Sequence, residues 1–301
     1  MLAPTSRKRT LEVGFQNLQI TYCFDIFEDS NRVFNLDETN IQLCPSTGKV
    51  VSIRGTKNVY EVAPGPCKSN LTSVGAFNAS GAIVAPAIIY PYIRLLRDIA
   101  EQLPDDFYIG HSESGWMTSA TFFEYIANAF IPWIESNQIQ KPVFLFIDGH
   151  SSHLSMQVST LHNQTFLYLL PPNTTHILQP ADVGPFRALK QYWREEVRKY
   201  QRNNVNETVR RVDVAPVMKQ VLARISVSAI SNEFRATGLY PLNADSPDYS
   251  KCLQLGENNL NCIQNWQHQT QHLPAPMINN TEKYRCALDV IDTELEMDTN
   301  E

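Results

Sequence analysis

Apolar residues run unbroken through Val143-Phe144-Leu145-Phe146-Ile147, and the run ends on Asp148-Gly149. Five consecutive apolar positions predict a strand buried on both faces, in the middle of a parallel or mixed sheet. A second such run, Phe166 to Leu170, is closed by Pro171-Pro172. Residues 32–37 alternate instead. Val33, Asn35 and Asp37 share one face of the predicted strand, Phe34 and Leu36 the other. This strand also ends on an aspartate. Next come short β-rich segments at 49–53, 58–62, 71–77 and 82–90, with Asn78-Ala79-Ser80-Gly81 as the turn between the last two. They are expected to be antiparallel strands beside the one that carries Asp37.

Elsewhere the period lengthens to that of a helix. Phe15, Leu18 and Tyr22 have helical spacing near the start, and residues 93–99 predict a helix that Pro104-Asp105-Asp106 stops. From Thr118, with Thr118 or Ser119 as N-cap, another helix would bury Phe123, Ile126, Phe130 and Ile134. Pro132 inside that stripe predicts a kink or break. A short helix is expected from His153 to about residue 161. A long one follows Gly184, its apolar face formed by Phe186, Leu189, Trp193, Val197 and Tyr200. Arg187, Lys190, Arg194, Arg198 and Arg202 form a neighbouring stripe at the same period. Val214 to Val227 predicts one more helix. Beyond about 246 the chain turns polar and then acidic, the composition of a disordered tail. The organisation expected is a partial N-terminal linker over 1–31, one α/β domain over 32–245 and a tail over 246–301.

Composition narrows the classes. The 301 residues carry a net charge of −6, which argues against a surface that coats nucleic acid throughout but leaves room for a local basic track. Residues 183–211 hold eight Lys/Arg against three Asp/Glu, a local excess of positive charge that suits a phosphate backbone. No apolar run approaches the length of a membrane span, so no membrane partner is expected. The six cysteines are scattered without a Cys-x-x-Cys pair and read as reduced thiols. Arg7-Lys8-Arg9 forms a small basic patch of the localisation type.

The chemistry lies in three aspartates. Asp37 and Asp148 end strands, and the C-terminal tip of a buried strand is where an open α/β sheet places its reactive groups. Asp182 opens the long helix. Three clustered carboxylates repel one another, and a divalent cation removes that cost. Mg²⁺ takes hard oxygen ligands and substrate phosphate, and two such ions about 4 Å apart suit in-line displacement at phosphorus. His150 and His153 lack the third soft ligand that zinc would require. His153 is instead expected to support Asp148 from behind. Glu38 points to the strand face opposite Asp37 and is read as a surface or supporting group.

Three blocks carry a resemblance. Asn35-Leu36-Asp37-Glu38-Thr39, Ile147-Asp148-Gly149-His150-Ser151-Ser152-His153, and the stretch from Leu170 through His176-Ile177-Leu178-Gln179-Pro180-Ala181-Asp182-Val183-Gly184 are similar to the blocks of the DDE-type transposases. Within them the closest likeness is to the pogo, tigger and jerky branch of the mariner superfamily. Asp148 and Asp182 lie 34 positions apart, in the range of that branch. Phe234-Arg235-Ala236-Thr237-Gly238-Leu239-Tyr240-Pro241 resembles the block that closes its catalytic domain. The resemblance implies an RNase H-like fold of mixed sheet, two Mg²⁺ or Mn²⁺ ions held by Asp37, Asp148 and Asp182, and phosphoryl transfer on DNA in the nucleus. The basic stripe Arg187, Lys190, Arg194, Arg198 and Arg202 would contact DNA, and a homo-oligomer is compatible with the family. That family places helix-turn-helix domains before the first block. Here about 31 residues precede it, so a catalytic core without its DNA reader is expected. A domesticated, non-catalytic DNA- or chromatin-binding protein is the alternative, and an RNase H-type ribonuclease shares the fold without these strings.

Overall fold

In the computed structural model, which describes residues 25–45, 54, 70–148, 165–170, 174–204 and 207–248, the alternating stretch forms β1 (Val33–Gln42). It is followed by β2 (Asn70–Asn78), β3 (Ile83–Pro91), β4 (Tyr108–Ser112), β5 (Val143–Ile147) and β6 (Thr165–Leu169). The sheet order is β4-β3-β2-β1-β5-β6. β2 runs antiparallel to both β1 and β3, whereas the β3–β4, β1–β5 and β5–β6 pairs are parallel. One strand therefore opposes the other five, and β1 and β5 point their C-terminal ends the same way. This is the mixed, RNase H-like sheet that the resemblance implied.

Local chemistry explains the antiparallel corner. The Asn78 side-chain oxygen accepts from the Ser80 hydroxyl at 2.8 Å and the Ala82 N–H at 2.7 Å, and Gly81 supplies the positive φ of the turn at +101°. Further along, β3 carries Ala85 and Pro86 where β2 has only Gly75, because the register skips between Val74↔Ala87 and Ala76↔Val84. Such a bulge accommodates a proline that cannot donate to the ladder.

The sheet has two covered faces. One packs Phe34, Leu36, Leu145 and Ile147 against Phe122, Tyr125, Ile126 and Phe130. The other packs Val33, Phe77, Phe144 and Phe146 with Phe186, Leu189, Trp193, Val214, Ile230 and Phe234. All five residues of β5 are fully buried, as a strand covered on both faces must be. β6 is the edge beside β5, and its positions after Thr165 are half-buried.

The helices are α1 (Arg97–Glu101), α2 (Ser119–Tyr125), α3 (Ile131–Ser136), α4 (Thr175–Leu178), α5 (Pro180–Val183), α6 (Pro185–Asn203), α7 (Val214–Leu222) and α8 (Val227–Ala236). Thr118 caps α2 in a reciprocal box with Thr121. The regular α-helix is interrupted just ahead of Pro132, which stands in the first turn of α3. A π turn over Ile126–Phe130 joins α2 to α3, widening the backbone just ahead of the residue that lacks an N–H. Phe122 and Tyr125 are fully buried there, and Phe123 only partly.

Other expectations need correction. α1 begins at Arg97, not Ile93. Tyr92 is held first, stacked on Tyr90 and bonded through its hydroxyl to Arg211 at 2.7 Å, and Ile93 and Leu96 are left exposed. β4 was not foreseen. The helix expected over 214–227 stops at Leu222, and a separate helix, α8, begins at Val227, where Ser226 caps it by accepting from the Ala229 N–H. The segments at 49–53 and 58–62, the helix after His153, the N-terminal helix and the acidic tail lie outside the described residues.

Candidate active site

Asp37 does not end its strand, as its sequence position suggested, but stands in the middle of β1 (Val33–Gln42), and it is 7% exposed. Its neighbour across the antiparallel pair is Gly75. A Cβ on Gly75 would lie 2.7 Å from the Phe186 ring, so the glycine lets the first turn of α6 approach the sheet beside the acid. Asp148 is the residue immediately after β5, and Asp182 lies in α5, which leads through Gly184 into α6. Gly184 is packed against the Glu233 side chain of α8, which would have to shift for a Cβ at that joint.

Asn35 sits two residues before Asp37 on the same face and is fully buried. Its amide donates to the Phe146 carbonyl at 3.1 Å, and its oxygen accepts from Ala181 N–H at 2.9 Å. Those two partners belong to β5 and α5. The sequence motif contained Asn35, but only tertiary contacts show what it bonds; its one sequence signal was a polar residue on the strand face that also carries Asp37.

The acids feel one another. Burial raises the Asp37 carboxyl well above the usual range. The charges of Asp182 and Glu38 add to this, and Asp148 adds less; only the Glu38 N–H, donating at 2.8 Å, acts the other way. Burial also raises Asp182, with the Asp148 charge adding and the Lys190 charge opposing. The structure thus brings 37, 148 and 182 into mutual electrostatic range, although among the described residues no three acids, histidines or cysteines draw together into a ready metal cage.

The basic helix continues from the same joint. Trp193 and Val197 anchor α6 in the core, and the Trp193 indole donates to the Gln42 carbonyl at 2.8 Å. Arg187, Lys190, Arg194 and Arg202 are exposed and Arg198 is half-buried. The acids of α6 are drawn to another group: Glu195 and Glu196 both pair with Arg224, whose guanidinium lies over the Tyr192 ring. His176 is exposed on α4. His150 and His153 fall outside the described residues, so the expected support of Asp148 by His153 does too. No helix among the described residues is long and apolar enough to cross a membrane.

The model of the DDE superfamily endonuclease family matches residues 68–233, a span that includes Asp148 and Asp182 and begins after Asp37. A curated protein, the MFS-type transporter clz9 of Cochliobolus lunatus, is 30% identical over 179 residues, which is 58% of this chain. The chain spans only 19% of that relative's length. Among solved structures, the Mos1 strand transfer complex aligns with a TM-score of 0.49 at 13% identity, covering 81% of this chain and 62% of that one. The catalytic domain of Mos1 mariner transposase aligns with a TM-score of 0.45 at 12% identity, covering 80% of this chain and 91% of that one.

Proposed function

Since the chain belongs to the DDE superfamily endonuclease family, we propose that it is a divalent-metal-dependent DNA endonuclease of transposase type, from the pogo, tigger and jerky branch of the mariner superfamily. One observation carries this reading. Burial raises the Asp37 carboxyl, and the charges of Asp182 and Asp148, acids 145 and 111 positions away in the chain, raise it further. A fold that gathers remote carboxylates against their own repulsion leaves a place for positive charge.

The donor set fits Mg²⁺ or Mn²⁺, because all three groups are hard carboxylate oxygens. Asp37 and Asp148 would share two ions, and Asp182 would complete their coordination. Bound there, the ions supply activation of the attacking oxygen and stabilisation of the leaving one in a displacement at phosphorus. The rest falls to the chain's own residues. Asp37 sits on β1 and Asp148 directly follows β5, so rigid strands support both acids better than a free loop would. Lys190, close enough to Asp182 to oppose its shift, offers a cation at the edge of the site. Arg187, Lys190, Arg194, Arg198 and Arg202 follow at about one per helical turn, each turn rising about 5.4 Å, and would track a DNA backbone away from the acids. After hydrolysis, the freed 3′-hydroxyl of the DNA would be positioned for attack on a target strand. The same reading places the protein in the nucleus.

A non-catalytic DNA- or chromatin-binding protein is the second reading, favoured by the exposed basic row, which needs no metal to hold DNA. Purified protein with Mn²⁺ is expected to nick supercoiled DNA, and Asp148→Ala to abolish nicking. Equal cleavage by the variant would reject the endonuclease. DNA binding unchanged by Asp37→Ala or Asp182→Ala, without cleavage under any metal, would favour the second reading. Preference for an RNA–DNA hybrid would point to a ribonuclease.

A further inference from the structure

The three acids belong to three separate segments, and one side chain touches all three. The backbone ladder between β1 and β5 runs through Val33↔Phe144, Phe34↔Leu145 and Asn35↔Phe146. Asn35 is the last β1 residue in that ladder, and both strands run on from it to their aspartates, Asp37 and Asp148. At that fork the Asn35 amide bonds the Phe146 carbonyl at 3.1 Å, adding a side-chain tie where the ladder stops. Its oxygen meanwhile takes the Ala181 N–H at 2.9 Å. That N–H lies in the first turn of α5, where a helix has no internal acceptor to offer. Asn35 caps the helix from a different element. Asp37 is two residues beyond Asn35, Asp148 two beyond Phe146, and Asp182 one beyond Ala181.

We propose that Asn35 is the positioning residue of the site, a single buried carboxamide whose two hydrogen bonds set the mutual spacing of Asp37, Asp148 and Asp182. The inference rests on the endonuclease reading and adds to it the part that fixes metal affinity. Asparagine suits the task chemically. It offers a donor and an acceptor on one planar group, whereas aspartate offers no donor for the Phe146 carbonyl and would put a fourth negative charge beside Asp37. Leucine has nearly the same size and makes neither bond.

The test compares wild type, Asn35→Leu and a control, Phe130→Leu, which loosens the opposite face of the sheet where none of the acids lies. Mn²⁺ binding is followed by titration calorimetry without DNA, and the Mn²⁺ concentration giving half-maximal nicking is measured alongside. Asn35→Leu is expected to raise both concentrations at least tenfold. Phe130→Leu, matched for loss of thermal stability, is expected to leave them within twofold. Should Asn35→Leu not fold, Asn35→Ser, which can keep one of the two bonds, is expected to give a smaller shift in the same direction. Unchanged Mn²⁺ dependence in the folded Asn35 variant, or an equal shift in the control, overturns the proposal while leaving the endonuclease in place. A wild type that binds no Mn²⁺ overturns both.

Discussion

The two faces of β1 are made of the same strand and differ in kind. One is hydrocarbon: Phe34, edge-on to the Phe130 and Trp133 rings at 5.2 and 6.4 Å, and Leu36 in the same apolar cluster. The other alternates Val33 and Ile41 with buried Asn35, Asp37 and Thr39. A period of two lets one strand do both jobs, because neighbours along the chain never share a face. The hydrocarbon face stabilises the fold. The polar face uses part of that stability to hold a raised, buried carboxyl within the field of two others, which a sequence selected for stability alone would avoid.

The contrast is broken most severely on its apolar side. Phe34→Ala is expected to lose about 3–5 kcal/mol, a large share of the roughly 5–15 kcal/mol typical of a domain, read as a shift in the urea midpoint. On the polar side, Gly75→Val would drive a side chain into the Phe186 ring. It is expected to destabilise by about 1–3 kcal/mol, the usual range for an overpacked core, and to impair nicking more than its loss of stability explains. Asp37→Asn should act in the opposite direction on stability. A carboxyl raised in the folded state favours folding fully only while protonated, and that contribution is lost as pH rises through the folded value. At neutral pH in chelator, the asparagine variant is therefore expected to melt higher, each kcal/mol regained giving roughly 2–4 °C, while Mn²⁺-dependent nicking disappears.

The smallest effect sharpens the contrast within a single residue type. Asp213 is also partly buried, and burial alone would raise it. Hydrogen bonds from Arg210 at 2.8 and 3.1 Å and from the Tyr200 hydroxyl at 2.8 Å outweigh this and lower it. Its contribution to stability is present above the unfolded carboxyl value of about 3.9 and is lost as pH falls through the folded value. Acid titration of the urea midpoint is expected to show this loss, and Asp213→Asn to remove it. Acidification thus weakens the protein at Asp213 and relieves it at Asp37: one aspartate has been given a cation and a hydroxyl, the other further acids.

Much of this was legible along the chain, and the reason is periodicity. The five apolar residues of β5, the alternation of β1 and the seam from Phe186 to Val197 each encode burial in their own spacing. β4 is Tyr108-Ile109-Gly110-His111-Ser112, too short and polar to declare itself; it is a strand because β3 offers an edge to pair with. The division between α7 and α8 was marked only by Ser226, inside an otherwise helical pattern. The site was half legible. Its acids announced themselves in three unusual strings, but the bonds from Asn35 to Phe146 and Ala181 span 111 and 146 positions, and no local pattern encodes a contact of that reach.

Anomalous diffraction from crystals of the protein soaked in Mn²⁺ tests the gathering of the three acids most directly. The expected result is manganese bounded by the carboxylates of Asp37, Asp148 and Asp182. Manganese absent from that place, or bound elsewhere with the three side chains turned apart, would contradict it.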